Sequence, residues 1–336
     1  MLANALTVGK LRGLQQIANE QGILTMLALD HRGSLRQALN PTAPAQVLPE
    51  TLVELKVLLT RVLAPRVSAV LLDPVYGVAQ AIGRGALPGR VGLIVSLESS
   101  AYEGEDTARL TRLISGWSVG KIKRLGASAV KLLLYYHPGS TTARHQEQLA
   151  AAVAEDCREH DIPFLLEPMS YTVDRTVPKG SWAFAQARPQ IVNDTARHLV
   201  PLGVDVLKAE FPSDLRYESP EEALSHCRRL SETIAVPWVL LSAGVDYELF
   251  RQQVEIACRG GASGFLAGRA IWQEITRLRR EEWEEFAATT AASRLETLID
   301  IANAEATPYR PTITIPENWA EVYGREAKER LAALAD

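Results

Sequence analysis

The chain of 336 residues contains three cysteines, Cys157, Cys227 and Cys258, an odd number with no close spacing. That pattern fits reduced, cytoplasmic thiols better than a disulfide framework or a cysteine zinc site. Histidine is equally sparse: His31, His137, His145, His160, His198 and His226 never fall at the i, i+2 or i, i+4 spacing of a metal-binding pair, so no metal is expected. No apolar run approaches the ~18 residues of a membrane-spanning helix. The net charge is −4 with both signs dispersed, so neither nucleic acid nor an anionic membrane is an expected partner. Met1 to Glu20 is amphipathic and lacks the apolar core of a secretory signal, and a cytoplasmic location is expected. Low-complexity segments are absent, and no Gly-x-Gly-x-x-Gly follows a strand, which disfavours a dinucleotide fold.

What the chain does have is apolar residues, 47% of the total, enough for a sizeable core. They fall into eight short runs separated by segments of helical spacing. The runs are Ile23–Asp30, Ala69–Pro74, Gly92–Glu98, Ala129–Tyr136, Pro163–Met169, Val204–Pro212, Pro237–Gly244 and Ser263–Arg269. Helices are predicted over Leu6–Gln21, Glu50–Leu63, Thr107–Leu125, Gln146–His160, Trp182–Leu202, Pro220–Ile234 and Tyr247–Arg259, and through most of Ile271–Ala304. Eight strands alternating with helices predict an α/β chain built as a closed (β/α)8 TIM barrel, with an open doubly wound sheet as the alternative. Residues 1–307 are assigned to a single barrel domain with its extra N-terminal helix. Residues 308–336 are assigned to a linker and a C-terminal helix, Glu317–Ala335, packed on it.

Polar groups collect at the C-terminal ends of these runs: Asp30, Asp73, Glu98, Glu167, Ser242 and Arg269. Those ends line the active site of a (β/α)8 barrel. Any one acid there could instead cap the next helix, above all Asp73, which precedes a proline. The sixth strand is the most informative. Alternation puts Val206, Lys208 and Glu210 on one face and Leu207, Ala209 and Phe211 on the other. A buried amine must be neutral, paired or chemically used. Lys208 therefore either pairs with Glu210 or reaches water, or it is a nucleophile that forms a Schiff base. A free lysine, with its pKa of ~10.4, is almost wholly protonated at neutral pH. Lys131, inside the fourth strand, could supply a second charge that favours the neutral amine, or could pair with Glu98 or Glu167. Glu167 lies on the strand between the two lysines and is either a proton shuttle or the counter-charge of Lys131. Ser242-Ala243-Gly244 and Gly268-Arg269 end the last two strands, where phosphate sites of this fold form from backbone N–H groups. His31, beside Asp30, is the histidine nearest the predicted site.

Taken together, Ala28-Leu29-Asp30-His31-Arg32-Gly33, Leu71-Leu72-Asp73-Pro74-Val75-Tyr76-Gly77, Lys131–Tyr136, Ile162–Glu167, Gly203–Lys208, Leu241–Val245 and Ser263–Ala270 resemble, in the same order, the class I family of tagatose 1,6-bisphosphate and sulfofructose-phosphate aldolases. The resemblance implies a metal-free and cofactor-free lyase with Lys208 as Schiff-base lysine and Glu167 as acid/base. It implies Asp30 and Lys131 as further site residues, with a phosphate held around Ser242, Gly244, Gly268 and Arg269; Ala243, His31 and Glu98, at the same strand ends, are candidate substrate- or phosphate-binding residues. The substrate it implies is a small sugar phosphate, tagatose or fructose 1,6-bisphosphate, cleaved to dihydroxyacetone phosphate and an aldehyde. The alternatives are 6-deoxy-6-sulfofructose 1-phosphate and a non-catalytic sugar-phosphate sensor. Arg32, Arg84 and Arg90 are candidates for the distal anion. Tagatose-type members read Gln at the position of His31. Aldolase barrels commonly associate, so a homo-oligomer is expected.

Overall fold

The computed structural model describes residues 6–315 and residue 317. The predicted helix Glu317–Ala335 lies outside these residues apart from Glu317 itself, a turn residue. Along the chain the strands are β1 (Leu24–Leu29), β2 (Ala69–Leu72), β3 (Gly92–Ser96), β4 (Glu103–Glu105), β5 (Ala108–Leu110), β6 (Ala129–Tyr135), β7 (Phe164–Met169), β8 (Val206–Ala209), β9 (Trp238–Leu241) and β10 (Gly264–Ala267). The helices are α1 (Val8–Ile17), α2 (Gly33–Leu39), α3 (Pro49–Leu63), α4 (Val78–Gly83), α5 (Val119–Arg124) and α6 (Ala143–Glu159). They continue with α7 (Trp182–Leu199), α8 (Pro220–Thr233), α9 (Tyr247–Arg259), α10 (Arg269–Trp272), α11 (Trp283–Phe286) and α12 (Ala292–Glu305). Among the described residues, all strands but β4 and β5 form one closed parallel barrel, and β10 pairs back onto β1.

Both faces of the barrel strands are covered, which is why they read as apolar runs rather than alternating ones. Leu24, Met26 and Ala28 of β1, with Leu71, Ile94, Leu165, Val206, Val239 and Leu266, pack inside the barrel. The opposite parity packs outward against the helices, whose buried stripes recur at helical spacing, as Phe250, Val254 and Ala257 do on α9. Serines and an aspartate start the helices: Ser118, Ser181, Ser219 and Asp246 each accept a backbone N–H three residues on. At the N-terminal end, Leu14 and Ile17 of α1 and the half-buried Tyr309 close the apolar interior. Tyr309 N–H donates to the Gly22 carbonyl at 2.8 Å, which fixes the first part of the predicted linker to the barrel.

Thr107–Leu125 is not one helix. It forms β5, the second strand of the β4–β5 hairpin, then an irregular crossing and the short α5. Tertiary pairing outcompetes its helical spacing: Ser99 N–H donates to Arg112, Ile114 N–H donates to Leu97, and Glu98 bridges Leu113. Gly116, at φ 74°, adds a conformation that a helix cannot hold. The predicted helical stretch after Ile271 is likewise broken into short turns before α12, with a π-helical turn over Ala287–Ala291.

Candidate active site

The inward parity that builds the barrel core carries on upward into charge. Above Met26 and Ala28 comes Asp30, above Ala129 comes Lys131, above Leu165 comes Glu167, and above Val206 comes Lys208. These residues floor a cavity of about 390 Å³ at the C-terminal end of the strands.

Glu167 lies between the two lysines. Its Oε1 is 2.8 Å from Lys208 Nζ and its Oε2 is 2.8 Å from Lys131 Nζ. Lys131 also meets Asp30 Oδ2 at 2.8 Å and Glu98 Oε1 at 2.6 Å. The other Glu98 oxygen accepts Leu133 N–H at 3.0 Å. Lys131 is only 1% exposed and Lys208 5%. Burial favours a neutral amine at Lys131, and Asp30, Glu167 and Glu98 outweigh it, so the ammonium is held well above the usual lysine range. Burial likewise pushes the Asp30 carboxyl up, and Lys131 foremost, with His31 and Lys208, holds it well below the usual carboxylate range. Burial, reinforced by the Asp30 charge, raises Glu98 despite Lys131. Lys131 is thus surrounded by counter-charge and offers Lys208 no uncompensated positive neighbour.

The alternation that grouped Glu210 with Lys208 stops at Ala209, where β8 ends. Glu210 turns away from the cavity and binds Ser170 N–H and Lys179. Asp73 also departs from the expected rim. Its Oδ1 accepts Val75 and Tyr76 N–H at 2.9 and 2.8 Å, and its Oδ2 pairs with buried Lys56 outside the barrel. It is a turn cap and not a cavity residue.

His31 lines the cavity and stands edge-on to Trp272, with ring centroids 5.3 Å apart. Burial, with Arg269 and Lys208 nearby, lowers its pKa to about 3 against the pull of Asp30, so the ring is neutral. Gly268 makes room for it: a Cβ there would lie 2.8 Å from His31 Cε1. Ser242, Ala243, Gly268 and Arg269 line the same side of the cavity. Gly244 lies just behind, and a Cβ on it would meet Arg269 Cζ at 2.9 Å. Ala243 takes φ 46° and Gly244 φ 77°, a left-handed pair that costs Ala243 roughly 1 kcal/mol. Arg269 Nε is buried without a protein partner among the described residues. A strained turn, two glycines and an unsatisfied guanidinium make a cradle suited to an anion.

Of the arginines considered for a distal anion, Arg32 reaches the cavity, and its guanidinium donates to the Glu98 carbonyl. Arg84 and Arg90 lie between α4 and β3, at the opposite end of the barrel from the cavity, and Arg90 binds the Pro65 carbonyl. Ser34, Ser99, Ser100, Thr111 and Tyr135 also line the cavity. Ser34 was not among the expected site residues, although it follows His31, Arg32 and Gly33 directly in the sequence. Thr111 was hidden by the helical spacing around it.

Among the described residues, no cluster of His, Cys, Asp or Glu is arranged to hold a metal ion. No helix of theirs is long and apolar enough to cross a membrane. Residues 24–274 match the DeoC/LacD family aldolase model. Tagatose 1,6-diphosphate aldolase 2 of Streptococcus agalactiae is 31% identical over 328 residues, spanning 92% of this chain and 99% of that protein. An archaeal fructose 1,6-bisphosphate aldolase, solved with its catalytic lysine bound to the carbinolamine intermediate, is 23% identical. It superposes with a TM-score of 0.54 over 86% of this chain and 98% of its own. The fructose-bisphosphate aldolase of Plasmodium falciparum is 14% identical with a TM-score of 0.69, over 91% and 99% of the two chains. The last two likenesses show a shared barrel. The match to the family model, with the 31% identity over nearly the whole chain, shows more: the chain belongs to the DeoC/LacD family of aldolases, which are lyases.

Proposed function

We propose that the chain is a Schiff-base aldolase that uses Lys208 to cleave a ketose 1-phosphate, with tagatose or fructose 1,6-bisphosphate as substrate. The observation that carries this reading is Glu167 holding both lysines of the cavity at 2.8 Å, one on each oxygen. Lys131 is fixed as an ammonium by three carboxylates, whereas Lys208 meets Glu167. A proton passed from Lys208 to Glu167 leaves a free amine and a neutral acid in contact. The likeness to a tagatose 1,6-diphosphate aldolase supports the choice of sugar.

In the proposed reaction Lys208 Nζ attacks C2 of the open-chain ketose. Glu167 returns the proton to the departing hydroxyl, water leaves, and an iminium remains. A base takes the C4 hydroxyl proton, and the C3–C4 bond breaks with its electron pair moving into the iminium. Glu167 is that base, with Asp30 beside Lys131 completing the charge balance. The aldehyde leaves, the enamine is protonated at C3, and water releases dihydroxyacetone phosphate and regenerates Lys208. Arg269 and the N–H groups of the Ser242–Gly244 and Gly268 turns hold the 1-phosphate, which orients C2 over the amine. Arg32, with Ser34 and Ser100, takes the distal phosphate. Neutral His31 binds a sugar hydroxyl.

Turnover tests the reading. The protein should release triose phosphates from tagatose 1,6-bisphosphate, and Lys208→Met should remove at least ~10⁴-fold of that rate. Binding of the sugar without cleavage at high protein concentration would assign a sensor instead. Preference for 6-deoxy-6-sulfofructose 1-phosphate would keep the lysine chemistry and change the substrate.

A further inference from the structure

The ladder between the two strands that carry Glu167 and Lys208 stops one residue short of them. β7 and β8 pair through Leu165 with Val206 and Leu166 with Leu207, and no farther. Pro168 follows Glu167 and has no N–H with which to extend the ladder. The strand ends are joined by other means. Glu210, the first residue past β8, accepts Ser170 N–H on Oε2 at 2.8 Å; Ser170 is the first residue past β7. Lys179, on the loop before α7, donates to Glu210 Oε1 and to the Ser170 carbonyl, both at 2.6 Å. One carboxylate and one ammonium thus satisfy both backbone groups of Ser170 and tie the ends of β7 and β8 together on the outside of the barrel. Glu210 is 5% exposed and Lys179 38%.

We infer that Glu210 and Lys179 are positioning residues that set the spacing of Glu167 and Lys208 by clasping the strand ends just above them. The inference rests on the lysine chemistry proposed above. Neither residue lines the cavity, so neither touches the sugar, and their effect passes through the backbone. Burial disfavours the Glu210 charge, and Lys179 foremost, with Ser170 and Arg188, reverses this and keeps the carboxyl ionised. Proton exchange and attack depend steeply on distance, and a misplacement on the order of 1 Å costs about 100-fold. A loosened clasp should therefore slow the chemical step and leave substrate affinity alone.

The test uses the full chain with tagatose 1,6-bisphosphate. Lys179→Met leaves the buried Glu210 carboxylate without its main counter-charge and should lower thermal stability, so its rates are read at a temperature where the variant is fully folded. It should lower kcat about 10- to 100-fold and leave KM within about twofold. Glu210→Ala should act alike. Glu210→Gln has one acceptor oxygen where the carboxylate uses two, so in this geometry it keeps either Ser170 N–H or the Lys179 ammonium, and it should recover part of the rate. Wild-type kcat in both Lys179→Met and Glu210→Ala would overturn the inference. So would losses that merely track the folded fraction and that Glu210→Gln does not rescue. A wild-type protein that releases no triose phosphate would remove the proposed reaction, and the clasp with it; an active wild type with indifferent variants would remove the clasp alone.

Discussion

Lys131 is an ammonium whose removal would leave Asp30, Glu98 and Glu167 facing one another in a buried site. Breaking a buried ion pair by removing one partner costs roughly 3–5 kcal/mol. Lys131→Met should therefore lower the urea midpoint markedly, a different signature from Lys208→Met, whose loss falls on turnover. His31 gives a pH prediction. Its folded pKa of about 3 lies below the unfolded value of 6.5, so between these values the unfolded chain binds the extra proton. Stability should then fall as pH drops below 6.5, by up to ~1.4 kcal/mol per pH unit. Asp30, depressed in the folded state, adds a loss of the same sign at the acid end of that window. His31→Gln should flatten the decline between pH 6.5 and 4.5 in denaturant titrations; an unchanged slope would place its origin elsewhere. At this scale the sequence was informative wherever side-chain parity decides the outcome, as at Lys131, Glu167 and Lys208. The partners of Lys131 converge from β1, the end of β3 and β7, and no local pattern specifies such a meeting. Of the roles left open for Lys131, pairing with Glu98 and Glu167 is the one present in the structure.

Turns rather than strands place the anion cradle. Gly244→Ala would put a methyl group 2.9 Å from Arg269 Cζ and force an L-residue to φ 77°. It should raise KM for the sugar phosphate about 10- to 100-fold, with kcat falling less, because the 1-phosphate contact is made in ground and transition states alike. Inorganic phosphate should inhibit the variant correspondingly more weakly. Barrel strands and long helices such as α7, α8 and α9 were legible, since their periodicity and their capping Ser181, Ser219 and Asp246 agree. The segment after β3 was not. Leucine and isoleucine there recur at helical spacing, yet hydrogen bonds donated by Ser99 and Tyr135 N–H and accepted by the Leu97 carbonyl hold Thr111–Ile114 along the rim. Asp73 and Glu210 show a second limit: past a strand end alternation no longer binds the chain, and these two leave it there whereas Asp30 keeps it.

Across the whole molecule, the barrel is closed at one end by hydrocarbon and open at the other to charge. α1 and Tyr309 close the apolar end, and the order of strand and helix along the chain sufficed to foresee that architecture. Tyr309→Ala should cost about 2–4 kcal/mol in urea unfolding with little change in kcat, because it lies at the end opposite the cavity; a large loss of turnover would contradict that separation. The central claim concerns one nitrogen. Tagatose 1,6-bisphosphate should be mixed with the protein, the mixture reduced with borohydride, and the digest mapped by mass spectrometry. A reduced sugar-phosphate adduct on the peptide containing Lys208, absent in Lys208→Met, is the expected result. An adduct on Lys131, or none while the protein turns the sugar over, would contradict the account.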